Sequence, residues 1–104
     1  MTMVSQVTTW RAHPGSGMEL LTNCAEAKQI HIRAGADQVW ISQTFSGANS
    51  GTITYMLVFE SAQKWGQFAD SLASNQEWQT FWSKISAKPT ADLVDTSLYF
   101  NTGL

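Results

Sequence analysis

The segment Thr52-Ile-Thr-Tyr-Met-Leu-Val-Phe-Glu60 is apolar on both of its sides. Successive side chains of a strand point to opposite faces of the sheet, so Ile53, Tyr55, Leu57 and Phe59 share one face and Met56 and Val58 the other. A strand of this kind belongs inside a sheet that is covered on both faces. Helices of the same chain can cover one of them. The chain has 104 residues, the size of one domain spanning 1–104 with one ordinary core. The opposite face then calls for a second copy of the chain. Charged residues make up only 13% of the sequence, about half the usual share, which also suggests that a partner covers part of the surface.

Turn signals fall at His13-Pro-Gly-Ser-Gly17, Gly35-Ala-Asp37, Ser46-Gly-Ala-Asn-Ser-Gly51 and Lys88-Pro-Thr90. The segments between them read as strand, helix, strand, strand, helix, strand. The first strand runs from about Met3 to Ala12 and is rich in Val and Thr. Ser16-Gly-Met-Glu19 has the spacing of a capping box, and the helix it opens should reach Ala34, with Gly35 as its left-handed cap. On the wheel Met18, Leu20, Leu21, Cys24, Ala25, Ala27 and Ile32 fill one half of this helix. Val39 to Phe45 and Thr52 to Glu60 form a hairpin.

Beyond Glu60 two stripes share the spacing W-x-x-F-x-x-x-[LI]: Trp65, Phe68, Leu72 and Trp78, Phe81, Ile85. They begin 13 residues apart, a turn of about 220° in an unbroken helix, so one helix cannot bury both. A break is expected near Ser74-Asn75, with Asn75 capping a second short helix. The final strand, about Asp92 to Phe100, carries acidic residues at Asp92 and Asp95 and suits either an edge or pairing across a dimer.

This order is α+β and ferredoxin-like: βαββαβ, a four-stranded antiparallel sheet with its helices on one face. Taken together, the His13-Pro-Gly15 turn, the third strand ending in Phe59-Glu60-Ser61, Trp65 just inside the next helix, the Asn75-Gln-Glu-Trp78 restart and the short last strand resemble the dimeric α+β barrel superfamily. That superfamily includes the antibiotic-biosynthesis monooxygenase-like (ABM-like), NIPSNAP-like and stress-responsive barrel families. The resemblance implies a homodimer closed sheet to sheet into a barrel. It also implies a cavity between sheet and helices that takes small apolar or aromatic molecules. Haem-degrading members carry a haem-ligating histidine on the second helix, and 62–85 contains none, which counts against haem.

Three constellations carry candidate chemistry. Cys24, Lys28 and His31 recur at i, i+4 and i+7 within the apolar half of the first helix, where Lys28 and His31, with Tyr55 of the third strand, are candidate acid/base groups. The same residues suit a structural role: Cys24 as small core filler, Lys28 snorkelling past the helix edge, His31 capping the last carbonyls. Trp65, Phe68, Trp78 and Trp82 are candidate pocket-lining residues, along with Cys24, although aromatic stripes at helical spacing also build cores. Arg11 and His13 can meet an anion beside the helix start, or simply belong to a surface turn.

Net charge is -2, so no basic surplus exists to bind nucleic acid or an anionic membrane. No apolar run approaches a membrane span, and Met1 to Gln6 lacks the pattern of a signal peptide. The single cysteine fits a reducing, cytoplasmic setting. Two histidines and one cysteine without ligand spacing predict no metal site, and no cofactor is expected. The expected function is a homodimeric binding module. The alternative is a cofactor-independent monooxygenase or a polyketide cyclase or isomerase, working by orientation and exclusion of water.

Overall fold

A computed structural model describes residues 2–47 and 50–104. The elements are β1 (Val4–Ala12), α1 (Gly17–Arg33), β2 (Gln38–Gln43), β3 (Thr52–Phe59), α2 (Ala62–Leu72), α3 (Gln76–Ala87) and β4 (Ala91–Phe100). The four strands form one antiparallel sheet in the order β2-β3-β1-β4, the ferredoxin-like arrangement, and the helices sit on one of its faces. Within the β2–β3 loop, Ala48 and Asn49 lie outside the described residues, as does Met1 at the start of the chain.

The register explains which side chains meet the helices. Val4, Gln6, Thr8 and Trp10 stand opposite Phe59, Leu57, Tyr55 and Ile53, and directly paired residues share a face. Val39 and Ile41 extend that face onto β2. Leu20, Cys24, Ala27 and Ile30 of α1, Phe68 of α2 and Phe81 of α3 complete the core above it. Phe59 and Val4 are fully buried at its centre.

The break between the last two helices falls where expected. The Asn75 carboxamide oxygen accepts the Trp78 amide at 2.9 Å, and Ser61 caps α2 in the same way through the Lys64 amide at 3.2 Å. At α1 the expected capping box does not form. Ser16 has φ -106° and ψ 8° rather than an extended backbone, so its hydroxyl makes no cap bond, and Glu19 instead reaches Lys88 at 3.7 Å. The face of α1 is also turned from the expected one. Leu20, Cys24, Ala27, Ile30 and His31 are buried, whereas Met18 is 78% exposed and Ala25 and Ile32 face water. His31, placed by the wheel in the same apolar half, is buried as expected, and Ile32 beside it turns outward.

β4 is an edge strand with a bulge opposite Thr9/Trp10. One extra residue shifts the alternation, so Ala91 and Leu93, then Thr96, Leu98 and Phe100, all lie on the helix side. The other side of the sheet carries Trp40, Met56, Val58, Val7 and Tyr99 at one end and Arg11, Asp92 and Asp95 at the other. Trp40 and Tyr99 are more than half exposed there.

Candidate functional site

His31 and Tyr55 meet inside the molecule. α1 turns His31 down onto the sheet, and Tyr55 stands on the helix side of β3, the innermost region of the fold. The Tyr55 hydroxyl lies 2.6 Å from His31 Nδ1. A phenol is the stronger acid and a neutral imidazole nitrogen the stronger base, so the phenol donates and Nδ1 accepts. Around this bond the imidazole touches three rings: Tyr55 at 5.5 Å, Phe68 of α2 at 5.6 Å and Trp78 of α3 at 4.4 Å between centroids. One side chain thus ties all three helices to the sheet.

The surroundings set the protonation states. Burial favours the neutral form of every group here. It pushes the His31 pKa down to about 4 and the Cys24 thiol up to about 11. The Tyr55 phenol is raised above its ordinary range, first by burial and second by the neighbouring Cys24. At neutral pH the cluster is an uncharged imidazole, phenol and thiol. It can pass a proton between two neutral groups, but it supplies no anion or cation. The thiol, raised and buried, is no nucleophile.

The other candidate residues are distributed around this centre. Cys24, Phe68 and Trp78 belong to it or to the core beside it. Trp65 stands at the other end of the sheet–helix space, where its indole N–H donates to the Gln6 side chain at 2.8 Å. Trp82 stacks on the outer side of Trp78, at 5.6 Å between ring centroids and 28° between planes, and half of it faces water. Lys28 is half-buried on α1 and stands outside the ring cluster. Arg11 and His13 do not converge on the start of α1. Arg11 reaches the Ser50 carbonyl at 3.5 Å, and His13 Nε2 pairs with Asp92 at 3.0 Å. Among the described residues no group of three or more His, Cys, Asp or Glu side chains is placed to hold a metal, and no helix is long and apolar enough to cross a membrane.

Among the described residues, open surface includes a shelf on the sheet and two grooves on the helix side. Over β2 and β3 the sheet–helix layer is filled by packed side chains. Over β4 the same face is exposed, leaving a shelf on which Leu93, Leu98 and Phe100 are 56%, 42% and 63% exposed beside Thr96 and the half-buried Gln6 and Thr8 of β1. On the outer helix surface a shallow groove of about 590 Å³ lies between α2 and α3, walled by Ala69, Ala73, Trp78 and Trp82. A second, of about 520 Å³, lies between α1 and α3, with the ion pairs Arg33–Glu77 and Lys84–Glu26 in its walls. Neither groove reaches Tyr55. Trp78 connects the first of them to His31 from behind. The shelf residues of β4 escape the sequence pattern because the bulge breaks the two-residue period that would have placed them.

These features define an α+β fold of known kind. The chain is similar to a NIPSNAP family protein from Agrobacterium tumefaciens, with 18% identity and a TM-score of 0.73 over 95% of this chain and 90% of that one. An uncharacterised NIPSNAP domain protein from Burkholderia xenovorans is similar at 17% identity and a TM-score of 0.71, over 95% and 92% of the two chains. A candidate antibiotic biosynthesis monooxygenase from Chloroflexus aurantiacus is similar at 17% identity and a TM-score of 0.67, over 98% and 95%. At these identities the likeness shows a shared ferredoxin-like fold. No protein-family model and no curated protein sequence matches the chain.

Proposed function

We propose that the chain is a cytoplasmic homodimeric α+β barrel domain that binds a small apolar or aromatic molecule between sheet and helices. The observation that carries the ligand reading is the exposed shelf of β4, bordered by half-buried β1. There three large apolar side chains border a row of uncharged polar groups, Gln6, Thr8 and Thr96. Such a surface suits a ligand with a broad apolar face and a few hydroxyl or carbonyl groups, and it offers no charge to a phosphate or carboxylate. Trp10 and Trp65 stand at its rim as aromatic neighbours. The dimer reading rests on the opposite face of the sheet, where Trp40, Met56, Val7 and Tyr99 form an apolar patch of the kind a second copy covers. The fold shared with the NIPSNAP and monooxygenase-like structures supports both readings.

A second reading, a cofactor-independent monooxygenase or a polyketide cyclase or isomerase, draws support from the buried His31–Tyr55 hydrogen bond. Two neutral groups sharing a proton can relay it to a substrate oxygen lying over Thr8, the residue paired with Tyr55. Lys28, half-buried on the same helix, is the further candidate of this reading.

Native mass spectrometry of gently purified protein tests the main reading. A dimer that falls to monomer in Trp40→Asp supports the assembly, and a clean wild-type monomer overturns it. A neutral hydroxynaphthalene should quench tryptophan fluorescence saturably in the wild type but not in Leu98→Asp. Equal quenching in both would remove the shelf as the binding site. Turnover of a hydroxylated polycyclic compound that is lost in Tyr55→Phe would move the reading to the enzyme.

A further inference from the structure

Four side chains form a continuous row from the protein surface to its interior. Trp82, half exposed on α3, stacks on Trp78 at 5.6 Å between centroids. Trp78 meets His31 at 4.4 Å, and His31 Nδ1 holds the Tyr55 hydroxyl at 2.6 Å. Packing alone does not require this sequence of rings. Trp82 gains little burial at its position, and Tyr55 sits where a phenylalanine would fill the core without a hydrogen bond to satisfy. We propose that the row is an electron path, and that Tyr55 is the resting place of a one-electron oxidising equivalent taken up at Trp82.

The chemistry follows from the order of the groups. A small radical oxidant, of the azidyl or oxyl class, removes one electron from the exposed Trp82 indole and leaves as its anion. Trp82 recovers an electron from Trp78, and any indole N–H proton released to water on oxidation returns on reduction. Trp78 then takes an electron from Tyr55. A phenol gives up its electron readily only when its proton can leave at the same time, and a buried phenol has no water to receive it. Here the proton moves along the existing hydrogen bond to His31 Nδ1. In net terms one electron passes from Tyr55 to the oxidant and one proton from the Tyr55 oxygen to His31. A neutral phenoxyl radical and an imidazolium remain in a pocket closed to solvent. His31 therefore acts as the proton acceptor that makes Tyr55 oxidisable. A thiol reductant of the surrounding solution restores the chain when an electron and the His31 proton return to the phenoxyl oxygen. The inference stands apart from the ligand reading, since it needs neither the shelf nor a second copy.

Pulse radiolysis in azide solution provides the test, because the azidyl radical oxidises indoles in preference to phenols. The indolyl absorption should decay by first order, at a rate independent of protein concentration, while the sharp phenoxyl band grows. Tyr55→Phe should abolish that growth, whereas Tyr99→Phe, on the opposite side of the sheet, should leave it intact. Trp82→Phe, a surface change that spares the fold, should reduce the phenoxyl yield, and Trp78→Phe should remove the fast phase. Phenoxyl growth that persists in Tyr55→Phe, that depends on protein concentration, or that is unchanged in both tryptophan variants would overturn the proposal.

Discussion

Acidification should destabilise this protein between pH 6.5 and 4 through one side chain. His31 has an ordinary pKa of 6.5 when the chain is unfolded and one of about 4 in the fold, where burial opposes its charged form. Above pH 6.5 both states hold a neutral imidazole, and the shift costs nothing. As pH falls below 6.5 the unfolded chain gains a proton that the folded one refuses, so stability declines. The decline ends near pH 4, where the folded state accepts the proton too. The full loss is about 3 kcal/mol at 1.36 kcal/mol per pH unit, and about 2 kcal/mol of it is spent by pH 5. Urea unfolding of the wild type and of His31→Gln, at steps from pH 7.5 to 4.5, measures this directly. Glutamine can still accept the Tyr55 hydroxyl but does not titrate. The wild-type midpoint should fall steadily below pH 6.5 while the variant's stays level to pH 5. Parallel curves for the two proteins would refute the reasoning, because the remaining histidine, His13, is shared by both. The carboxylates held down by Arg33 and Lys64, Glu77 and Asp37, add their own losses only at the acid end of the range.

Other outcomes follow from single contacts. Tyr55→Phe leaves His31 Nδ1 without its partner in a buried place, which should cost about 1–3 kcal/mol in chemical denaturation. Asn75→Ala should cost about 1 kcal/mol through the lost cap on α3, whereas Ser16→Ala should change stability by only a few tenths because its hydroxyl caps nothing. Phe59→Ala, at a fully buried position, should cost about 3–5 kcal/mol and come close to unfolding the domain at room temperature.

Much of the fold is written in local patterns. The third strand's two apolar faces placed it between neighbours, and it does pair with β1 and β2. The angular offset between the two aromatic stripes required a helix break, and Asn75 caps the restart. Other features depend on tertiary geometry that no local window contains. Ser16 has the right partner spacing for a capping box, but the tight turn before it holds its backbone outside the extended region. The wheel puts both His31 and Ile32 in the apolar half of α1, yet only the histidine goes in, where Tyr55 and Trp78 provide the imidazole with a hydrogen bond and a ring face, and the isoleucine turns out. Of the candidate site residues, His31, Tyr55, Cys24, Phe68 and Trp78 share one neighbourhood. That convergence was visible in the sequence only as a spacing on α1, since the approach of β3 to it is a long-range event.

The bulge in β4 also bears on how the protein behaves when concentrated. An edge strand with Leu93, Val94, Leu98, Tyr99 and Phe100 all exposed is a template on which other chains can add strand by strand. The bulge interrupts that template near its middle, and the charges of Asp92 and Asp95 stand on the acidic half. Neither half is then long and flat enough to seed a fibre. Replacing Asp95 with valine should keep the fold and the bulge but remove one of the edge charges, and the variant should precipitate on standing more readily than the wild type.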